Sequence, residues 1–157
     1  MTIDNRSETA SRPMDMAFAE AEAAGARGEV PIGAVVVDAD GAVIARAGNR
    51  TLELKDPTAH AEMLTIREAC AARGSERLAG CDLYVTLEPC PMCAAAISFA
   101  RLRRIYYGAA DEKGGGVDHG PRIFEHPTCH HRPDVYGGLG ETRAAALLRD
   151  FFAARRD

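Results

Sequence analysis

The chain has 157 residues, 46% of them hydrophobic and 27% charged, with 19 Lys and Arg against 23 Asp and Glu and a formal net charge of −4. That size fits one folded domain with a proper core, the apolar fraction excludes disorder over most of the length, and no apolar run approaches the roughly 20 residues that a membrane span requires. The acidic balance speaks against an overtly basic nucleic-acid binder, but residues 1–97 hold 9 basic and 15 acidic side chains while residues 98–157 hold 10 and 8, so a polyanion would be met mainly by the C-terminal part.

Residues 1–12 are polar and lack the apolar stretch of a secretion signal, so they are expected to form a mobile tail of a cytoplasmic protein, leaving residues 13–157 as a single domain. Residues 13–24 predict a helix with Met14, Phe18 and Ala21 as its apolar stripe, Pro13 at the first helical position and Gly25 beyond its end. The β-branched run 32–37 predicts a buried strand, Asp38-Ala39-Asp40-Gly41 a turn, and residues 42–47 the second strand of a hairpin. After a polar loop at 48–57, residues 58–73 predict a second helix with Met63, Ile66, Ala69 and Cys70 inward. A third strand at 82–87, a small apolar helix at 91–100 and a fourth strand at 104–107 follow. Residues 108–133 contain Gly114-Gly115-Gly116 and three prolines, and a loop of that length is usually functional or disordered. A short fifth strand at 134–136 leads to a last helix at 141–156, where Ala144, Leu147, Leu148, Phe151 and Phe152 repeat at helical spacing. The alternation predicts an α/β fold, a mixed sheet with helices on both faces and parallel strands in each strand–helix–strand unit.

Five cysteines, at 70, 81, 90, 93 and 129, are an odd set, which points to a reducing compartment and a metal or catalytic role rather than a disulfide framework. His60-Ala61-Glu62 opens the second helix, and Pro89-Cys90-Pro91-Met92-Cys93 leads the third strand into the third helix, the kind of place where α/β sheets bind ligands. Cys90 and Cys93, three apart, share a helix face. With the imidazole of His60 they make three zinc ligands and leave a fourth tetrahedral position for water. The helix start favours the Cys90 thiolate, and Pro91 costs no hydrogen bond there. Zinc with two thiolates and a neutral imidazole is formally neutral and acidifies water less than an all-imidazole site, so a base is needed, and Glu62 in the first turn can serve. Taken singly, a Cys-x-x-Cys is often a redox pair or half a structural zinc site, and a histidine or glutamate at a helix start is often only a satisfied or dipole-paired residue. His-x-Glu followed by Pro-Cys-x-x-Cys, each opening a helix, is the signature of zinc nucleobase deaminases.

Residues 56–62, Asp-Pro-Thr-Ala-His-Ala-Glu, and residues 84–94, Tyr-Val-Thr-Leu-Glu-Pro-Cys-Pro-Met-Cys-Ala, resemble the bacterial tRNA adenosine deaminases (TadA type), as do residues 29–37, Gly48-Asn49-Arg50, Tyr107-Gly108-Ala109 and residues 147–152. The resemblance implies a cytidine-deaminase-like three-layer α/β/α sandwich with a mixed five-stranded sheet. It implies one zinc ion per subunit, held by His60, Cys90 and Cys93, and a homodimer whose partner subunit helps to shape the site. The implied substrate is adenosine at the wobble position of a tRNA anticodon loop, converted to inosine. Glu62 would take a proton from water, deliver it to N1 while C6 is attacked, and then protonate the departing amine. By position, Asn49 would hydrogen-bond the flipped base, Asp111 would lie in the loop along the RNA, and Ala61 would join them as a substrate-binding residue. Arg50, Lys55, Arg101, Arg103, Arg104 and Lys113, with Arg149, Arg155 and Arg156 on the last helix, are candidate RNA contacts.

Residues 126–133, His-Pro-Thr-Cys-His-His-Arg-Pro, depart from the family pattern, with Thr128 in place of a small residue and Cys129-His130 in place of a Met-Asn pair. This segment is expected to border the pocket, which keeps a second reading open, a deaminase of free nucleobases or nucleosides of guanine or cytosine type with the same zinc site. A third reading has Cys129 or His130 close the zinc sphere into a structural, non-catalytic site.

Overall fold

A computed structural model of the chain describes residues 5–155, with side chains described from residue 12. The elements are α1 (Asn5–Ala26), β1 (Gly33–Val37), β2 (Val43–Gly48), α2 (Ala61–Arg73), β3 (Asp82–Leu87), α3 (Pro91–Phe99), β4 (Arg104–Ala109), β5 (Asp134–Tyr136) and α4 (Glu141–Ala154), with a 3-10 turn at Ile123–Glu125. The strands form one mixed five-stranded sheet in the order β2-β1-β3-β4-β5. β1 runs antiparallel to both β2 and β3, and β3, β4 and β5 are parallel. β2 and β3 therefore point the same way on either side of β1, as the strand–helix–strand reading requires.

β1 is buried along its whole length because both of its faces are covered. Ala34 and Val36 join a core with Ile66 and Ala69 of α2 and Ala94 and Ile97 of α3. Val35 and Val37 join Met14, Ala17 and Phe18 of α1 and Ala144 of α4 on the opposite face. The result is the three-layer sandwich. Gly33 and Gly48 lie opposite each other in the β1–β2 ladder. A Cβ on Gly33 would stand 1.9 Å from the Ala17 carbonyl oxygen, and one on Gly48 would stand 2.6 Å from that of Glu20, so α1 lies on the hairpin with its backbone.

Two boundaries differ from expectation. α1 begins at Asn5, and Pro13 lies inside it rather than at its first position. Proline removes one helical hydrogen bond and restrains its predecessor, which makes it look like a start, yet the helix runs on both sides of it. The part of the expected tail before Asn5 lies outside the described residues. α2 begins at Ala61, with His60 as its N-cap, three residues later than the sequence suggested. No helix among the described residues is long and apolar enough to cross a membrane.

Candidate active site

Because β2 and β3 point the same way, the chain leaves both at the same edge of the sheet, and α2 and α3 both begin there. His60 and Cys90 are the N-caps of these two helices, each in extended backbone conformation (φ −71°, ψ 154° and φ −70°, ψ 171°), with Pro91 opening α3. Extended backbone at the cap turns each side chain past the helix end, and Cys93 follows one turn in. His60 Nδ1 lies 3.6 Å from Cys90 Sγ and 3.5 Å from Cys93 Sγ, and the three donor atoms lie within 4.8 Å of one another. Zinc bonds of roughly 2.0 Å to nitrogen and 2.3 Å to sulfur at tetrahedral angles separate such atoms by about 3.5 Å, so the donor set fits that ion and leaves one position open. It is the one such group among the described residues.

The two thiols share a proton unequally. A hydrogen bond from Cys93 brings the Cys90 thiol down to about 4 against the opposing effect of burial, and the same bond pushes the Cys93 thiol up. His60 is raised by its hydrogen bond with Cys90, again against burial. Glu62, 4% exposed, lies beside Cys93 and supplies no atom to the ligand group. Burial pushes its carboxyl up to about 7, with the charge of Cys90 adding and that of His60 opposing. A carboxyl poised near neutrality can both take and give a proton.

Asn49 is buried, and its Oδ1 accepts the Ala61 N–H at 3.1 Å, which satisfies a free amide at the start of α2. The Asn49 carbonyl oxygen accepts a hydrogen bond from Arg27 at 3.1 Å. Ala61 itself is fully buried, with its side chain in the core. Asp111 Oδ1 accepts the amides of Lys113 and Gly114 at 3.3 and 2.9 Å, so this carboxylate shapes its own loop.

Two buried carboxylates escaped the sequence reading. Glu29 accepts the amides of Leu52 and Glu53 at 3.0 and 2.9 Å and holds the loop between Asn49 and His60. Glu88, whose side chain is wholly buried, accepts amides from the loop after β4. Nothing in the local pattern marks them: Glu29 lies four residues before β1, and Glu88 follows a strand that itself carries Asp82 and Thr86.

The departing segment sits elsewhere. Thr128, Cys129 and His130 line a cavity of about 360 Å³ with Ser98, Phe99 and Arg101, at the C-terminal end of α3, whereas Cys90 and Cys93 hold its N-terminal end. Cys129 Sγ donates to the His131 carbonyl at 3.1 Å, and His131 Nε2 lies 2.6 Å from the Leu102 carbonyl oxygen. The expectation that this segment borders the zinc pocket is corrected: the order of residues along α3 separates them. Neither Cys129 nor His130 joins the ligand group, so the closed structural-zinc reading lacks its fourth ligand among the described residues. Of the candidate RNA contacts, Arg103 is bound bidentately to buried Asp82 at 2.9 and 3.0 Å, Arg50 pairs with Glu53 at 2.6 Å, and Arg156 lies outside the described residues.

Residues 7–109 match the family model of the cytidine and deoxycytidylate deaminase zinc-binding region. The chain belongs to this deaminase family. Zinc is its cofactor, and the His60, Cys90 and Cys93 group fits it. The deaminase is 66% identical over 143 residues, 91% of its length, to a tRNA-specific adenosine deaminase of Agrobacterium fabrum, of which 93% is covered. It is 44% identical to the tRNA-specific adenosine deaminase of Bacillus subtilis, over 91% of this chain and 88% of that protein. Among solved structures it superposes with a TM-score of 0.86 at 65% identity, over 88% of this chain and 99% of the other, on one from work on A-to-I editing by tRNA:A34 deaminases at the wobble position of transfer RNA. A guanine deaminase of Bacillus subtilis matches at 33% identity and a TM-score of 0.62, over 94% of each chain.

Proposed function

We propose that this deaminase hydrolyses adenosine to inosine at the wobble position of a tRNA, with His60, Cys90 and Cys93 as zinc ligands and Glu62 as the group that moves protons. The observation that carries the reaction is the convergence of one imidazole and two thiols beside a buried carboxyl that is not itself a ligand. A zinc ion held by His60, Cys90 and Cys93 would supply Lewis acidity to activate the attacking water. Glu62 takes a proton from the attacking water and passes it to N1 of the purine as the new bond forms at C6. It then takes the proton of the new C6 hydroxyl and delivers it to the exocyclic nitrogen; the C6–N bond breaks, the C6 carbonyl forms and ammonia leaves. Since the Asn49 Oδ1 is occupied by the Ala61 amide, the NH₂ of Asn49 is the end left to donate to the base. Ala61 forms the wall behind it, and Asp111 holds the loop on the other side of the metal ligands in shape for RNA. A single-stranded anticodon loop makes extrusion of the base inexpensive.

The substrate assignment is supported by identity twice as high to a tRNA-specific relative as to a guanine deaminase over comparable lengths. Residues 128–130, at the far end of α3, stand away from this chain's own metal ligands. The five free cysteines suit a cytoplasmic enzyme. Phe99, 72% exposed beside the apolar cavity at the end of α3, suits a homodimer that covers this face with a second copy. Incubation with tRNA transcripts, and separately with adenine, guanine, cytosine and their nucleosides, tests the reading by inosine and ammonia release. Inosine formed only in tRNA supports it. Guanine turnover without inosine in tRNA replaces it with the free-base reading.

A further inference from the structure

The loop after β4 looks unrestrained in sequence, with three successive glycines, yet residues 115–117 are buried. Glu88 explains this. Its Oε2 accepts the amides of Val117, Asp118 and His119 at 3.2, 3.0 and 3.1 Å, and its Oε1 accepts the Asp111 amide at 3.1 Å and faces His119 Nδ1 at 2.7 Å. The Gly116 amide adds a bond to the Pro89 carbonyl at 2.8 Å. The glycines are what allows so close an approach. A Cβ on Gly115 would stand 2.3 Å from Glu88 Oε2, and one on Gly116 would stand 2.5 Å from Pro91 N and 2.8 Å from the Cys90 carbonyl carbon. The loop is therefore seated directly on the turn that presents Cys90.

We infer that Glu88 is a positioning residue that fastens the 111–119 loop to the Cys90 turn and so fixes the wall of the active site on the side of β4. No neutral side chain can do this equally: a glutamine in its place would offer one acceptor oxygen and turn an NH₂ group toward N–H donors. The carboxylate collects its bonds from the loop and none from the three ligand residues. Its loss releases the wall and leaves the metal site assembled. The kinetic part of this inference rests on the tRNA reading.

Two variants approach the contact from opposite sides. Glu88→Gln removes acceptors, and Gly115→Ala inserts a methyl against an intact carboxylate. Each is expected to keep about one zinc per chain, to raise KM for tRNA about tenfold with kcat held within about threefold, and to speed amide hydrogen exchange at residues 111–119 at least about tenfold while α3 is unchanged. Unaltered exchange and KM in both variants overturn the inference. So does loss of zinc or collapse of kcat with the loop still protected, which would make Glu88 a support of the metal turn instead. If Glu88→Gln does not fold, Gly115→Ala decides alone. If the wild-type enzyme forms no inosine in tRNA, the proposed function fails, and the exchange measurement still decides whether Glu88 holds the loop.

Discussion

Cys90 and Cys93 differ in chemistry although three residues separate them. Cys90 caps α3, half-buried, and is held as a thiolate by the hydrogen bond from Cys93. Cys93 is fully buried next to Glu62 and keeps its proton. Metal loading must displace that proton, so zinc uptake should weaken as pH falls, with Cys93 the sensitive ligand. Cys93→Ser is expected to bind less than about a tenth of the wild-type zinc, since even the partners that orient metal ligands are worth about 10–100-fold in affinity, as read by metal analysis after dialysis. Glu62→Gln keeps size and burial but cannot carry a proton. It should retain zinc and lose about 10²–10⁴-fold in turnover, and normal turnover by that variant would exclude the role assigned to Glu62. These residues were legible because their spacing alone implies a common chemistry. Glu29 and Glu88 were not, since their partners are backbone amides 23 to 31 residues away and no side-chain pattern announces a backbone donor.

At the scale of elements, each loop bordering the ligands is held by one buried carboxylate. Burial pushes the carboxyl of Glu29 up, but the Glu53 and Leu52 amides and the nearby Arg27 charge more than offset it, so it titrates below its ordinary 4.5. A carboxylate depressed in the folded state stabilises the fold above the unfolded value and stops doing so as pH falls through the folded one. Glu29→Gln should therefore be clearly less stable than wild type at pH 7, and the gap should narrow below about pH 4, as measured by urea unfolding at both pH values. α1 depends on a different device. Gly33→Ala would force a methyl to within 1.9 Å of the Ala17 carbonyl oxygen, and the helix must lift. The expected loss is about 1–3 kcal/mol or more, again by urea unfolding, with zinc binding preserved because α2 and α3 lie on the other face of the sheet.

For the whole molecule, acidity and RNA binding are compatible because charge is distributed unevenly along the chain. Binding of tRNA to the Glu62→Gln variant should weaken steeply with salt: about four phosphate contacts give a slope near −3 in log K against log salt, and a flat dependence would argue for a small, uncharged substrate. For the proposed homodimer, the expectation is that wild type sediments as a dimer and Phe99→Asp as the 16.8 kDa monomer, because a charge cannot be covered by an apolar face. The class of fold, the hairpin, the parallel strand–helix–strand units and the metal chemistry are legible in the chain alone, since these follow from local periodicity and from two short motifs whose residue types have few other uses together. Only the tertiary structure decided that His60 lies before its helix, that Thr128–His130 lie away from the ligands, that Arg103 is bound to Asp82, and that three glycines form a seated loop. Each of these depends on which backbone groups a distant residue meets, and contact between remote segments leaves no local pattern in the sequence.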